Sequence, residues 1–96
     1  MLLLITYDVN TTSPAGQKRL RHVSKCCEAY GQRVQNSVFE CDVNEAQAVE
    51  LKRKLNDMID KQKDSLRVYN IGNHYQTKIE HYGTKAGYDP EDVLIL

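Results

Sequence analysis

The sequence predicts an α+β sandwich of the ferredoxin-like, βαββαβ type, carrying an extra C-terminal strand. Three observations lead there. The chain opens on an unbroken apolar run, Met1-Leu2-Leu3-Leu4-Ile5, that passes through Thr6 and Tyr7 to a carboxylate, Asp8. Two stretches with apolar residues at steps of three and four follow, each introduced by a residue suited to cap a helix. Between and after them lie β-rich segments bounded by turn formers.

The opening run is too short for a buried helix and reads as a strand covered on both faces. Its abrupt end puts Asp8 at the rim of the core. There Asp8 either starts a turn, as aspartate often does, or serves as a ligand. Residues 9–14 form a loop, in which Ser13 can cap a helix and Pro14 can occupy its first position. That helix runs to about Tyr30, with Leu20, Val23, Cys27 and Tyr30 as its apolar stripe and Gly31 as its C-cap. Gln17, Lys18, Arg19, Arg21, His22 and Lys25 fall on the opposite face.

From Gln32 the chain is polar, then β-rich. This predicts a very short strand, a turn at Asn36-Ser37 and a longer strand over 38–43, with one bulged strand as the alternative. Asn44 and Gln47 have capping-box spacing for a second helix, whose stripe is Ala48, Leu51, Leu55, Met58 and Ile59. Lys63-Asp64-Ser65 is a turn. Residues 66–71 alternate as a strand, with Leu66 and Val68 on one face and Arg67 and Tyr69 on the other. Gly72-Asn73 is a turn, 77–82 a weaker strand and 83–90 a loop. The tail, Val93-Leu94-Ile95-Leu96, is an apolar strand.

The 96 residues make one domain, 1–96. The last strands are surplus to the sandwich and need a sheet edge, which in so small a chain is met by a second copy. A homodimer that exchanges residues 76–96 is therefore expected. No apolar run approaches the roughly 18 residues of a membrane span. The N-terminal run lacks the basic flank and cleavage site of a signal peptide. Cys26, Cys27 and Cys41 have no metal-ligand spacing and form no even disulfide set, so they read as reduced thiols of a cytoplasmic protein. The formal net charge of zero argues against coating nucleic acid by charge alone, but permits a local basic patch.

Three features exceed core building. Asp8 closes the first strand. Lys18-Arg19-Leu20-Arg21-His22 places cations in the opening turns of a helix, where its dipole disfavours them. Arg33-Val34-Gln35-Asn36-Ser37 sets polar residues inside a strand signal. A solvated helix face and an exposed strand edge account for the last two without function. Together, the three would ring a carboxylate with guanidinium groups. One carboxylate holds Mg²⁺ or Mn²⁺ weakly, but two copies of Asp8 across a two-fold axis could share an ion. Such an ion suits phosphodiester hydrolysis, with arginines gripping the phosphates. His22, His74 and His81 are scattered, and Tyr69, Tyr75, Tyr82 and Tyr88 serve either base stacking or edge packing.

Four stretches then occur in order: Ile5-Thr6-Tyr7-Asp8-Val9, Lys18-Arg19-Leu20-Arg21, the run from Tyr30 to Glu40, and Asp64-Ser65-Leu66-Arg67-Val68-Tyr69. This pattern resembles the CRISPR-associated protein 2 family, and its short loops and apolar tail are most similar to the subtype I-C branch. The resemblance implies a ferredoxin-like protomer in a two-fold dimer, with Asp8 as the metal-binding aspartate paired across it. It assigns Tyr7, Arg19, Arg21, Arg33, Ser37 and Phe39 to positions associated with activity. It implies a Mg²⁺-dependent endonuclease acting on single-stranded RNA or double-stranded DNA in CRISPR spacer acquisition. It equally implies a non-catalytic dimer that binds duplex DNA as a bridge between integrase dimers. Under that alternative, Lys18, Arg19, Arg21, Arg33 and the cations Lys52, Arg53 and Lys54 matter more than Asp8. A small ligand-binding regulator is a third possibility, disfavoured because the chain has no Gly-rich ligand loop.

Overall fold

The computed structural model describes residues 1–84. In it, β1 (Leu2–Asp8) leads to α1 (Pro14–Glu28), the hairpin β2 (Gln32–Gln35) and β3 (Val38–Asp42), α2 (Glu45–Met58) and β4 (Ser65–Gly72). A 3₁₀ turn, Tyr75–Thr77, follows. The order is βαββαβ, and the strands form one antiparallel sheet in the order β2-β3-β1-β4. The expected βαββαβ, ferredoxin-like sandwich is therefore observed.

The caps act as anticipated. The Ser13 side chain accepts from the Gly16 amide with Pro14 in the first turn. Asn44 and Gln47 exchange the two hydrogen bonds of a capping box. Leu20, Val23 and Cys27 of α1 and Ala48, Leu51 and Leu55 of α2 meet Leu3, Ile5, Tyr7, Phe39 and Cys41 in one core. Both helices thus cover the same sheet face, and burial of these side chains is its main stabilising term.

Two expectations are corrected. Helix α1 stops at Glu28, with Ala29 as its C-cap, a turn short of Gly31. Gly31 is required for a different reason: a Cβ there would lie 2.1 Å from the Glu40 carbonyl oxygen. The chain crosses β3 too closely for a side chain. The second correction concerns 77–82, which form no strand. Gly72 turns the chain with φ +95°, and Tyr75 folds back, 6% exposed, with its hydroxyl on Asp42. Without a ladder partner among the described residues, Ile79 and Tyr82 are left exposed. The hairpin expected at Asn36-Ser37 is present, so the single bulged strand is not the arrangement adopted, although the hairpin pairing shifts register between Arg33 and Gln35. The apolar tail, and with it most of the 76–96 exchange segment, lies outside the described residues.

Candidate functional site

Strand geometry sorts the residues at the end of β1. Successive side chains point to opposite faces, so Tyr7 enters the helix-covered core at 2% exposure and Asp8 leaves toward the uncovered face. Cross-strand register places Thr6, Leu4, Val38, Arg67 and Tyr69 on that uncovered face with Asp8. Arg67 lies over the Tyr69 ring, 5.8 Å from its centroid. Asp8 is exposed and has no hydrogen-bond or ion-pair partner among the described residues.

Beneath Tyr7 sits Asp64, whose sequence position marks a turn but does not announce a buried role. The side chain of Asp64 is fully enclosed. It accepts from the Tyr7 hydroxyl, from Arg19 Nε at 2.8 Å and Nη2 at 3.1 Å, and from the Asp60 amide at 2.9 Å. Burial pushes its carboxyl up, but the bonds from Arg19 and Tyr7 outweigh burial and hold it below the usual carboxylate range. Burial, reinforced by the neighbouring carboxylate, pushes the Tyr7 phenol up to about 12. The same carboxylate raises Arg19 above its ordinary value. One polar cluster thereby ties the end of β1, the second turn of α1 and the entry to β4. The signal for it was the antiparallel register, which sets Ser65 opposite Asp8 and so brings Asp64 to the end of β1.

The expected ring of guanidinium groups around Asp8 does not form within the protomer. Two of the three Arg19 nitrogens are committed to Asp64 on the other side of the sheet. Arg33 donates from Nε to the Asn36 carbonyl at 2.7 Å and lies 5.7 Å from the centroid of Phe39. Phe39 is fully buried beneath it and reaches no surface. Ser37 meets β1 through its backbone, its carbonyl accepting from the Tyr7 amide at 3.0 Å. Lys18 and Arg21 are exposed on α1. The loop after Asp8 is pressed against α1, because a Cβ on Gly16 would come within 1.8 Å of the Asn10 carbonyl oxygen.

As a ligand set, Asp8 supplies one unengaged hard oxygen donor at an open rim. Among the described residues, no group of three His, Cys, Asp or Glu side chains could hold a metal ion. A divalent ion that keeps its waters and takes substrate phosphate fits such a donor, but needs a second protein carboxylate to be held firmly.

Comparison with known proteins decides the family. The family model described as CRISPR associated protein Cas2 matches residues 1–79. The chain belongs to the Cas2 family. It is 60% identical to the CRISPR-associated endonuclease Cas2 of Halalkalibacterium halodurans over the whole of both chains. It is 54% identical to the CRISPR-associated endoribonuclease Cas2 of Nitratidesulfovibrio vulgaris, over all of this chain and 94% of that one. The crystal structure of Streptococcus pyogenes Cas2 at pH 6.5 superposes with a TM-score of 0.79 at 55% identity, covering 86% of this chain and all of that one. A hypothetical protein of Thermus thermophilus superposes at 0.70 with 31% identity, covering 94% of this chain and 96% of that one. Within this Cas2 fold, no helix of the described residues is long and apolar enough to cross a membrane.

Proposed function

We propose that this chain is a metal-dependent endonuclease of a CRISPR system, acting as a homodimer in the cytoplasm with Asp8 of each protomer as ligand to Mg²⁺ or Mn²⁺. The observation that carries the reading is Asp8, exposed and without a partner among the described residues, at the rim of a sheet face that neither α1 nor α2 covers. A carboxylate left without a partner among the described residues is available to bind a cation. The names of the two curated relatives, an endonuclease and an endoribonuclease, support the same chemistry. When bound, the ion would supply an activated water and neutralise charge on the phosphate. The chain's own contribution is to hold Asp8 in place. Tyr7, anchored by Asp64 and Arg19, fixes the end of the strand from which Asp8 projects. The substrate is a phosphodiester in duplex DNA or single-stranded RNA, and the short loops and apolar tail of the sequence support assignment to the subtype I-C branch.

A second reading has its own observation. Lys18, Arg21 and Lys25 of α1 have no acidic partner among the described residues. A row of free cations suits a DNA-binding bridge in the spacer-acquisition complex with the integrase subunit. One assay separates the two. Wild type and Asp8→Ala are compared on duplex DNA and on single-stranded RNA, with Mg²⁺, Mn²⁺ or chelator. Metal-dependent cleavage lost in Asp8→Ala supports the nuclease. Duplex binding without cleavage by either protein supports the bridge.

A further inference from the structure

The cysteines, an adjacent pair and a distant third in sequence, come together where the last turn of α1 meets β3. Cys27 lies on the core face of α1, one residue before the helix ends, and Cys41 lies on β3 opposite Leu3. Both are fully buried in the same core. The crossing at Gly31 enforces the approach. A Cβ there would stand 2.6 Å from the Cys41 Cα, so the connection leaving α1 is pressed onto β3 just after Cys27. Cys26 packs against the same core but stays half-buried.

A single buried cysteine is an ordinary small apolar filler. Two contacts set this pair apart. The Cys41 thiol donates to the Cys27 carbonyl at 3.4 Å, beside the Tyr30 amide, which donates to the same oxygen at 3.0 Å. That carbonyl belongs to the last helical turn, where intrahelical donors run out. The Cys41 sulfur in turn accepts from the Cys27 thiol, and this bond raises Cys27 and lowers Cys41. Cys26, the outermost of the three, goes the other way: burial raises it, and Lys54 offsets only part of that. The thiolate is the form that reacts with oxidants. It is favoured here at Cys41, whose neighbouring sulfur is already in hydrogen-bond contact.

We propose that Cys27 and Cys41 are an oxidisable dithiol, a modification site at which hydrogen peroxide forms a disulfide joining the end of α1 to β3. The Cys41 sulfur attacks one peroxide oxygen. The O–O bond breaks, a sulfenic acid forms, and hydroxide leaves as water with one thiol proton. The Cys27 sulfur then attacks the Cys41 sulfur. The S–O bond breaks, and the second water leaves with the second thiol proton. The two thiols lose two electrons, and one peroxide gains them. Peroxide is small enough to reach enclosed sulfurs that a bulky disulfide reagent does not. Access runs through the last turn of α1, since helix ends open first. The site is separate from Asp8 and does not rest on the function proposed above.

Peptide mapping by mass spectrometry tests this. Folded wild type and Cys26→Ser are treated with hydrogen peroxide, blocked with an alkylating reagent and digested, with and without prior dithiothreitol. A bridge between Cys27 and Cys41 that dithiothreitol reverses is expected in both proteins, with Cys26 of wild type left for the alkylating reagent. Wild type unfolded in urea and treated in the same way is expected to give mixed pairings, Cys26 with Cys41 included, because the fold no longer selects the partner. A bridge that disappears in Cys26→Ser would make Cys26 the partner and overturn the pairing. Equal mixtures in folded and unfolded wild type would overturn it too. So would oxidation without that bridge, whether confined to Cys26 or ending in a disulfide between two chains, and so would three unreacted thiols.

Discussion

The Tyr7 hydroxyl donates to the enclosed carboxylate of Asp64, from the strand at the start of the chain to the turn before its last described strand. Arg19 grips the same carboxylate through two nitrogens. Asp64 is therefore the acceptor on which three elements converge, and its removal leaves a guanidinium, a phenol and the Asp60 amide unpaired. Breaking a buried pair from one side costs about 3–5 kcal/mol. Asp64→Ala is expected to fall in that range in urea unfolding. A loss below about 1 kcal/mol would show that water replaces the carboxylate at no great cost.

Tyr7→Phe removes one hydrogen bond and keeps the ring in the core. A bond to a charged group contributes about 1.5–3 kcal/mol, so the variant is expected to lose less than Asp64→Ala. The two losses share a partner and will not add. A double-mutant cycle should return a coupling of about 1 kcal/mol or more. Additive losses would mean that Tyr7 is held by packing alone.

The same cluster sets a pH profile. The folded-state carboxyl of Asp64 is depressed. Its contribution is present above the unfolded carboxylate value of about 4 and is lost as pH falls through the lower folded value. The phenol of Tyr7 is raised to about 12. Its contribution is present below the unfolded value of about 10 and is lost as pH rises toward the folded one. Thermal melts from pH 2 to pH 12 should therefore fall away at both ends. Asp64→Asn should flatten the acid limb, and Tyr7→Phe the alkaline one. Unchanged limbs in both variants would locate the sensitivity elsewhere.

Charge reversal at Arg19 is a poor probe of nucleic-acid binding for the same reason. It would place an acid against Asp64 and unfold the site before reporting on the surface. Arg21, which has no partner among the described residues, is the cleaner position. Arg21→Glu is expected to weaken duplex binding with little change in melting temperature. A large drop in melting temperature would show that Arg21 is structural as well.

The strands, helices and caps were legible because each rests on local chemistry. Ser13 with Pro14, Asn44 with Gln47, and the three-four spacing of Leu20, Val23 and Cys27 all act within a few residues of themselves. What escaped was non-local. Asp64 looks like a turn residue until β4 is paired with β1, and pairing is a property of the sheet. Arg19 and Asp8 seemed to share a rim because both lie near the end of β1. The period of two in the strand sends Tyr7 and Asp8 apart, and Arg19 follows Tyr7. The strand expected over 77–82 had suitable residues, but Tyr75 turns the chain aside by packing over Asp42 first.

Gly31 carries a prediction of the same non-local kind. Its backbone runs against β3, so a methyl group would meet the Glu40 carbonyl oxygen and the Cys41 Cα, at 2.1 and 2.6 Å. Backbone atoms cannot swing aside as a flexible side chain does. Gly31→Ala is expected to cost about 1–3 kcal/mol through forced separation of the α1–β2 connection from β3. A variant as stable as wild type would mean that the hairpin shifts freely.

The shared-ion proposal for Asp8 can be tested without altering the tail. One carboxylate per protomer is too few to hold Mg²⁺ firmly, so activity should require Asp8 from both partners. Wild type and Asp8→Ala are unfolded together, refolded as an equal mixture and assayed for metal-dependent cleavage. Random pairing puts about half of the wild-type protomers into mixed dimers. If both carboxylates hold one ion, activity per wild-type protomer falls to about half. If each Asp8 works alone, it stays unchanged. Protein shortened after Asp89 gives the second readout. Loss of the dimer with metal-dependent cleavage retained would refute the shared site. Joint loss of dimer and cleavage, with duplex binding by α1 kept, would tie the chemistry to the two-fold axis and leave the basic helix as a separate surface.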